Sequence, residues 1–323
     1  MQRWISAPSA VKKYYSDDGR DAVMLEDDSG RIRLVGDVLK SYVLVTGCII
    51  AVMGTENING EFDVIDVQIA DLAPQPPRWE LSKPLSSSTK KEAKLKSEDV
   101  EMADTPSQGK KIAIVSGLEF SGSDTSYAME LHLLLEFLLG EALDPVAQGE
   151  LAHISRLIIA GNSVAPETKA SDDDGSEKKS HKKYGYDSSS YNAVPSQMLD
   201  EFLADLLPSM PITLLPGAQD PANASYPQQP IHAAMFPKSR SYTAVPGAAE
   251  PGWLDTVTNP WEGEIEGWRV LGTGGQNLDD MLKYVASDDR LGLMEAMCRW
   301  RCSAPTAPDT LCEWSYSMNG MML

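Results

Sequence analysis

Cysteine is scarce in this chain, with four in 323 residues: Cys48, Cys298, Cys302 and Cys312. That count excludes the disulfide framework of a small secreted domain. Cys298-x-x-x-Cys302 offers a pair of metal ligands, but no second pair and no histidine cluster completes a tetrahedral site, so no structural metal is expected. Histidine is equally rare: His132, His153, His181 and His232 are the full set. Basic charge is short as well. Lys plus Arg is 28 against 47 Asp plus Glu, a net charge of −19. Such a surface repels polyphosphate at long range, which leaves only a local basic patch for nucleic acid. No apolar run reaches the roughly 20 residues that span a bilayer, and no secretory signal opens the chain, so no membrane contact is expected. A reducing intracellular compartment follows, and an acidic balance suits partners that are proteins.

Hydrophobic residues make up 42% of the chain, enough for a packed core. The length allows roughly two domains of ordinary size. The organising stretch is Lys110 to Val164. Ile112–Val115 and Leu157–Ala160 are short apolar runs, each closed by a polar, glycine-containing turn: Ser116-Gly117 and Gly161-Asn162. Between them, Met129, Leu133 and Phe137, with Leu131, Leu135 and Leu138, recur at helical spacing. Continuous apolar runs suit strands covered on both faces, and a helix between them suits a crossover to a parallel neighbour. The two loops then meet at the carboxyl ends of adjacent strands, where an open α/β sheet carries its site.

Ahead of this stretch, apolar runs alternate with turns. AVMLED (22–27), RIRLVGD (31–37), YVLVTGCIIAVMGT (42–55) and EFDVIDVQIADL (61–72) predict four strands in an antiparallel meander. Gly47 falls inside the longest run and predicts a bulge or a sharp bend there. Four strands with such bends make part of an OB-type barrel, which has five. Residues 74–109 and 166–192 are rich in Ser, Lys, Glu, Asp and Pro and poor in large apolar residues, so disorder is expected in both. The lysines of the first segment also fit an import signal. From Pro195 the α/β pattern resumes. A helix is predicted with Met198, Phe202 and Leu206 on one face, then a strand within PITLLPGAQDP, then short strands ending with Trp268–Leu271 and the loop Gly272–Asn277. Two helices follow, in LDDMLKYVAS and DRLGLMEAMCRWR.

Four strand ends thus carry polar loops with glycine: Ser116–Glu119, Gly161-Asn162, Pro216–Asp220 and Gly272–Asn277. Their placement resembles the calcineurin-like metallophosphoesterases, whose chemistry needs two metals about 4 Å apart held by carboxylates and histidines. That pattern begins Asp-x-His, where this chain has Ser116-Gly117-Leu118. It continues Gly-Asp, here Gly161-Asn162, and then Gly-Asn-His-Asp or Glu, here Gly217-Ala218-Gln219-Asp220. None of the four histidines falls at a ligand position. The loops keep glycines for turns, and Asp220-Pro221 reads as a turn starter. No catalytic, metal-binding or cofactor-binding residue is expected. GTGGQN lacks the Gly-Lys-Ser/Thr that would make it a phosphate loop.

A partial OB barrel followed by a phosphoesterase-like domain without its ligands resembles the B subunits of eukaryotic replicative DNA polymerases. VTGCIIAVMG, DVQIADLAPQ, SRLIIAGNS, LLPGAQDPANASYPQQPIHAAMFP, TNPW, LGTGGQN and SAPTAPDTL are similar to the delta branch of that family. The resemblance implies an α+β and α/β fold. Its parts are an OB-type domain over 1–82, a linker over 83–109, an inactive phosphoesterase-like domain over 110–311 with an insertion at 166–192, and an atypical tail over 312–323. It implies a chain shortened at both ends, with exposed sheet edges and lowered stability as the consequence. Gly161, Asn162, Pro216, Gly217, Asp220, Pro221, Gly272, Gly275, Gln276, Asn277, Pro305, Pro308 and Asp309 are then signature residues of structural loops. The implied role is a non-catalytic scaffold in the nucleus, acting in DNA replication and repair. Its implied partners are the cysteine-rich C-terminal domain of the catalytic subunit of DNA polymerase delta and a third accessory subunit leading to the sliding clamp. Sharing with polymerase zeta is implied too. Two other readings stay open. One is an active phosphoesterase or nuclease. The other is single-strand binding by Arg31, Arg33, Lys40 and Tyr42, opposed by Asp27, Asp28, Asp37, Glu61, Asp63 and Asp66 around them.

Overall fold

The computed structural model describes residues 13–16, 20–74, 110–124, 126–141, 143–165, 192–223, 225–244 and 252–311. Most of both low-complexity segments, and the tail after 311, lie outside the described residues. The chain divides into two compact units: Met1–Pro77 with Gly275–Leu323, and Arg78–Gly274.

The first unit opens with β1 (Val23–Asp27) and β2 (Gly30–Val35), a hairpin that turns where Asp27 pairs with Gly30. The Asp27 carboxylate accepts from the Ser29 and Gly30 amides, which fixes the turn. β3 (Ile50–Glu56) and β4 (Phe62–Ile69) form a second antiparallel pair. The sheet order is β1-β2-β4-β3, and β2 joins β4 in parallel through Leu34 and Val35. The expected meander is therefore corrected: two antiparallel hairpins meet along a parallel seam. The expected single strand over 42–55 is corrected too. Only its second half pairs, from Ile50; a bulge lies at Met53/Gly54, and of the two alternatives at Gly47 the chain takes the bend. Gly47 sits in a left-handed turn before the strand, where a side chain would strike the Pro305 carbonyl. Leu34, Val64 and Val67 form the buried centre of the sheet.

The second unit is built on a parallel sheet of β5 (Lys111–Val115), β6 (Ile154–Ala160), β7 (Ile212–Leu215) and β8 (Leu254–Thr256), in that order. Between β5 and β6 run α1 (Ala128–Leu139) and the short α2 (Pro145–Leu151), which was not among the expected helices. Asp144 caps α2 by accepting from the Val146 and Ala147 amides. α3 (Val194–Leu206) connects β6 to β7. Alternation along the strands sorts the core into two layers. Leu157, Ile159, Ile212 and Leu214 pack with Leu138, Phe202, Leu203 and Leu206 of the helices. Ile158 and Leu215 point the other way, against Ile265 and Trp261. The latter pair belong to β9 (Trp261–Ile265), which forms a two-stranded antiparallel sheet with β10 (Trp268–Gly272). The strand before Gly272 is thus part of a covering hairpin, not a fifth member of the parallel sheet.

Two further helices belong to the first unit, α4 (Gln276–Met281) and α5 (Arg290–Trp300). Met281 and Trp300 are buried with Val45, and Cys48, Ile69 and Cys302 pack around them. The Arg301 guanidinium donates to the carbonyls of Ala70, Asp71 and Leu72, which pins the end of β4 to the end of α5. Burial pushes the Cys48 thiol up to about 11. A group raised in this way contributes stability at neutral pH and loses it as pH climbs through 11. At pH 8 its thiolate is on the order of one molecule in a thousand. Iodoacetamide at pH 8, followed by peptide mapping, is expected to modify the exposed Cys298 and spare Cys48 until urea unfolds the unit. Equal labelling of the two in the native protein would contradict this packing.

Candidate functional site

The strand-end loops of the second unit converge. β5 runs into Ser116–Phe120, where the Gly117, Glu119 and Phe120 amides donate to the carbonyls of Gly161, Asn162 and Ser163. The Ser116 hydroxyl donates to the Ala160 carbonyl at 2.9 Å. The loop after β6 is thereby stitched to the loop after β5. Asn162 and Glu119 both adopt left-handed backbone conformations there.

The centre of the cluster is Asp220. Its carboxylate is buried. One oxygen accepts from the Ser163 and Val164 amides at 2.7 and 2.9 Å, and the other accepts from the Gly217 amide at 2.7 Å. The Asn162 side-chain oxygen accepts from the Gln219 amide, closing the same bridge from the other side. Burial raises the Asp220 carboxyl above the usual carboxylate range, against the downward pull of those amides. Next to it, the buried Asn259 side chain donates to the Pro216 carbonyl and to the Gln228 side-chain oxygen, and its own oxygen accepts from the Gly274 amide. Gln228 donates in turn to the Gly217 carbonyl.

Glycine makes this closeness possible. A Cβ on Gly161 would lie 2.8 Å from the Gly217 Cα and 3.3 Å from the Gly274 Cα. One on Gly217 would lie 2.2 Å from the Asn162 nitrogen. Backbone meets backbone at these strand ends.

Of the predicted residues, Gly161, Asn162, Pro216, Gly217 and Asp220 come together in this cluster, and Pro221 follows the brace in the chain. Gly272 ends β10 with its Cα facing Leu215 and Trp261. The remaining ones stand in the first unit. Gly275 is the left-handed residue before α4, which Gln276 begins. Asn277 is buried and donates to the Ser303 carbonyl. Pro305 presents its carbonyl to Gly47, and Asp309 accepts from the Thr46 hydroxyl at 2.6 Å. Pro308 lies in the π-helical turn Ala307–Leu311. Sequence reasoning missed Gln228, Asn259 and the buried Asp280, whose carboxylate accepts from Thr306, Thr310 and Lys283. Asn259 stands within TNPW and Gln228 within PQQP, so both lie inside signature stretches that carry no local sign of their role.

These residues do not fit a two-metal centre. Among the described residues, no group of three or more His, Cys, Asp and Glu converges. The Asp220 carboxylate has both oxygens occupied by N–H donors, and a shell of amide hydrogens opposes a cation. His132 lies on α1 beside Glu136, and the His232 ring accepts from the Ala234 amide. His181 lies outside the described residues. The basic residues weighed for single-strand binding are each matched by an acid. Arg31 pairs with Glu26 at 2.6 Å, Arg33 with Glu61 at 3.4 Å and Lys40 with Asp37 at 2.7 Å. The groove of about 590 Å³ between Asp21 and Lys40 therefore carries no unbalanced positive charge from Arg33 or Lys40.

The fold and site define a mixed α/β protein with a small β unit and a parallel-sheet unit whose strand-end loops are tied to one another. The family model for the B subunit of DNA polymerases alpha and epsilon matches residues 112–322, and the model for the OB-fold domain of the DNA polymerase delta subunit matches residues 1–67. The chain belongs to this DNA polymerase alpha/epsilon B-subunit family. It is 32% identical to the DNA polymerase delta small subunit of Saccharomyces cerevisiae, over 96% of this chain and 60% of that protein. It is 31% identical to the protein of that name from Oryza sativa subsp. japonica, over 97% and 62%, and 33% identical to that of Arabidopsis thaliana, over 90% and 57%. The chain spans about 60% of the length of these relatives.

Asp220→Asn replaces an acceptor with an amide facing backbone N–H groups. It is expected to lower unfolding stability by roughly 2–3 kcal/mol, the cost of leaving buried donors unmatched. Urea denaturation measures it, and an unchanged midpoint would contradict the brace.

Proposed function

We propose that this chain is a non-catalytic accessory subunit of a delta-type DNA polymerase, acting in DNA replication and repair in the nucleus. The observation that carries the reading is the tied loop cluster around Asp220, in a chain similar to delta small subunits along nearly its whole length. Polar groups that could serve catalysis are used in holding loops together. In this reading, residues 1–82 form an OB-type domain and residues 110–311 an inactive phosphoesterase-like domain, with 83–109 and 166–192 as linker and insertion. The signature loops, from Gly161 to Asp309, are structural. Its partners are the C-terminal domain of the catalytic subunit and a further accessory subunit that leads to the sliding clamp, and polymerase zeta shares it. DNA contact is weak or indirect, because the candidate basic residues are paired with acids.

Co-expression of the full chain with the C-terminal domain of a delta-type catalytic subunit tests the proposal. A one-to-one complex on size exclusion is the expected result. Separate elution of the two, from a chain shown by circular dichroism to be folded, would overturn it.

A further inference from the structure

Helix α1 is apolar on both sides. Its inner face, Leu131, Leu134, Leu135, Leu138 and Leu139, packs into the core of the second unit. Its outer face carries a second stripe, Met129, Leu133 and Phe137, at i, i+4 and i+8. These three are 72%, 50% and 48% exposed. Tyr127 just ahead of the helix and Val146 in α2 are also exposed. The centre of the solvent-facing side of a surface helix is ordinarily polar, and a helix apolar all round is normally covered on every side. The fold uses the leucine face, and nothing in the core requires the Met-Leu-Phe stripe.

Charge says what covers it. No Lys or Arg stands between Ala128 and Leu151, while Glu130, Glu136, Glu141, Asp144 and Glu150 do. Glu130 flanks the stripe on one side, and Glu136, beside His132, flanks it on the other. Lys111 balances only Glu150, at 3.3 Å. We propose that the outer face of α1 is a docking site for an amphipathic helix of a partner protein, one that presents an apolar stripe bordered by Lys and Arg. Met129, Leu133 and Phe137 supply the apolar anchors, and Glu130 and Glu136 set orientation by facing the basic borders. Phe137 and the flexible Met129 are residue types suited to such contacts.

The probe is a labelled helical peptide of about 18 residues with leucine on one face and lysine and arginine on its borders. Its twin carries glutamate in place of every basic residue. Fluorescence anisotropy with the full chain is expected to show saturable binding of the basic peptide and not of the twin. Leu133→Ser with Phe137→Ser is expected to weaken binding about tenfold or more, a loss of about 1.4 kcal/mol or more. These side chains are exposed, so circular dichroism should stay unchanged. Glu130→Gln with Glu136→Gln is expected to weaken binding and flatten its salt dependence while leaving every apolar contact in place. Binding that survives both double variants would overturn the proposal, as would absence of binding. Concentration-dependent self-association of the chain, abolished by the serine variant, would overturn it in favour of a second copy on this face.

Discussion

A buried carboxylate accepting only from backbone amides is the constraint on which the strand-end region depends. Taking Asp220 out of water costs several kcal/mol unless donors replace the lost hydration. The amides of Ser163, Val164 and Gly217 do so only if the loops after β6 and β7 sit in one relative position. Gly161, Gly217 and Gly274 must then tolerate backbone contact, and Asn259 and Gln228 satisfy the carbonyls that face inward. The carbonyls and amides at the sheet's carboxyl end are turned toward one another, and both oxygens of the acid among them accept from backbone amides.

Buried aspartates recur as tie points. Asp200 of α3 accepts from the Lys238 and Ser239 amides and so holds the loop after β7 against the helix. Asp280 of α4 accepts from the hydroxyls of Thr306 and Thr310 and from Lys283, which holds the turn Ala307–Leu311. In each case one side chain fixes a segment with little regular structure of its own. Long irregular connections become defined surfaces by this means.

Much of this was legible in the sequence. The continuous apolar runs at Ile112 and Leu157 did become adjacent parallel strands, and the glycine turns after them did meet. The leucines of α1 at helical spacing marked a helix, but periodicity could not show which of two apolar stripes faced the core; only the packed sheet decides that. The meander failed at β2 and β4 because local turns report hairpins and say nothing of a parallel seam between strands about thirty residues apart. Gly47 marked a bulge or a bend, and what the run could not show is its neighbour: the turn it ends lies against Pro305, far along the chain. Asp220 resembles a turn starter because its amide partners, Ser163 and Val164, are more than fifty residues away. Roles set by long-range hydrogen bonds leave no local pattern.

Native-state hydrogen exchange of the full chain tests the central claim most directly. If Asp220 locks the loops, the amides of Ser163, Val164 and Gly217 will exchange as slowly as those of Ile159 and Leu214 within the sheet, through the same global opening. Exchange at the rate of the exposed Asp28–Gly30 turn would mean that the loops move freely over the strand ends, and the account of tied loops would fail.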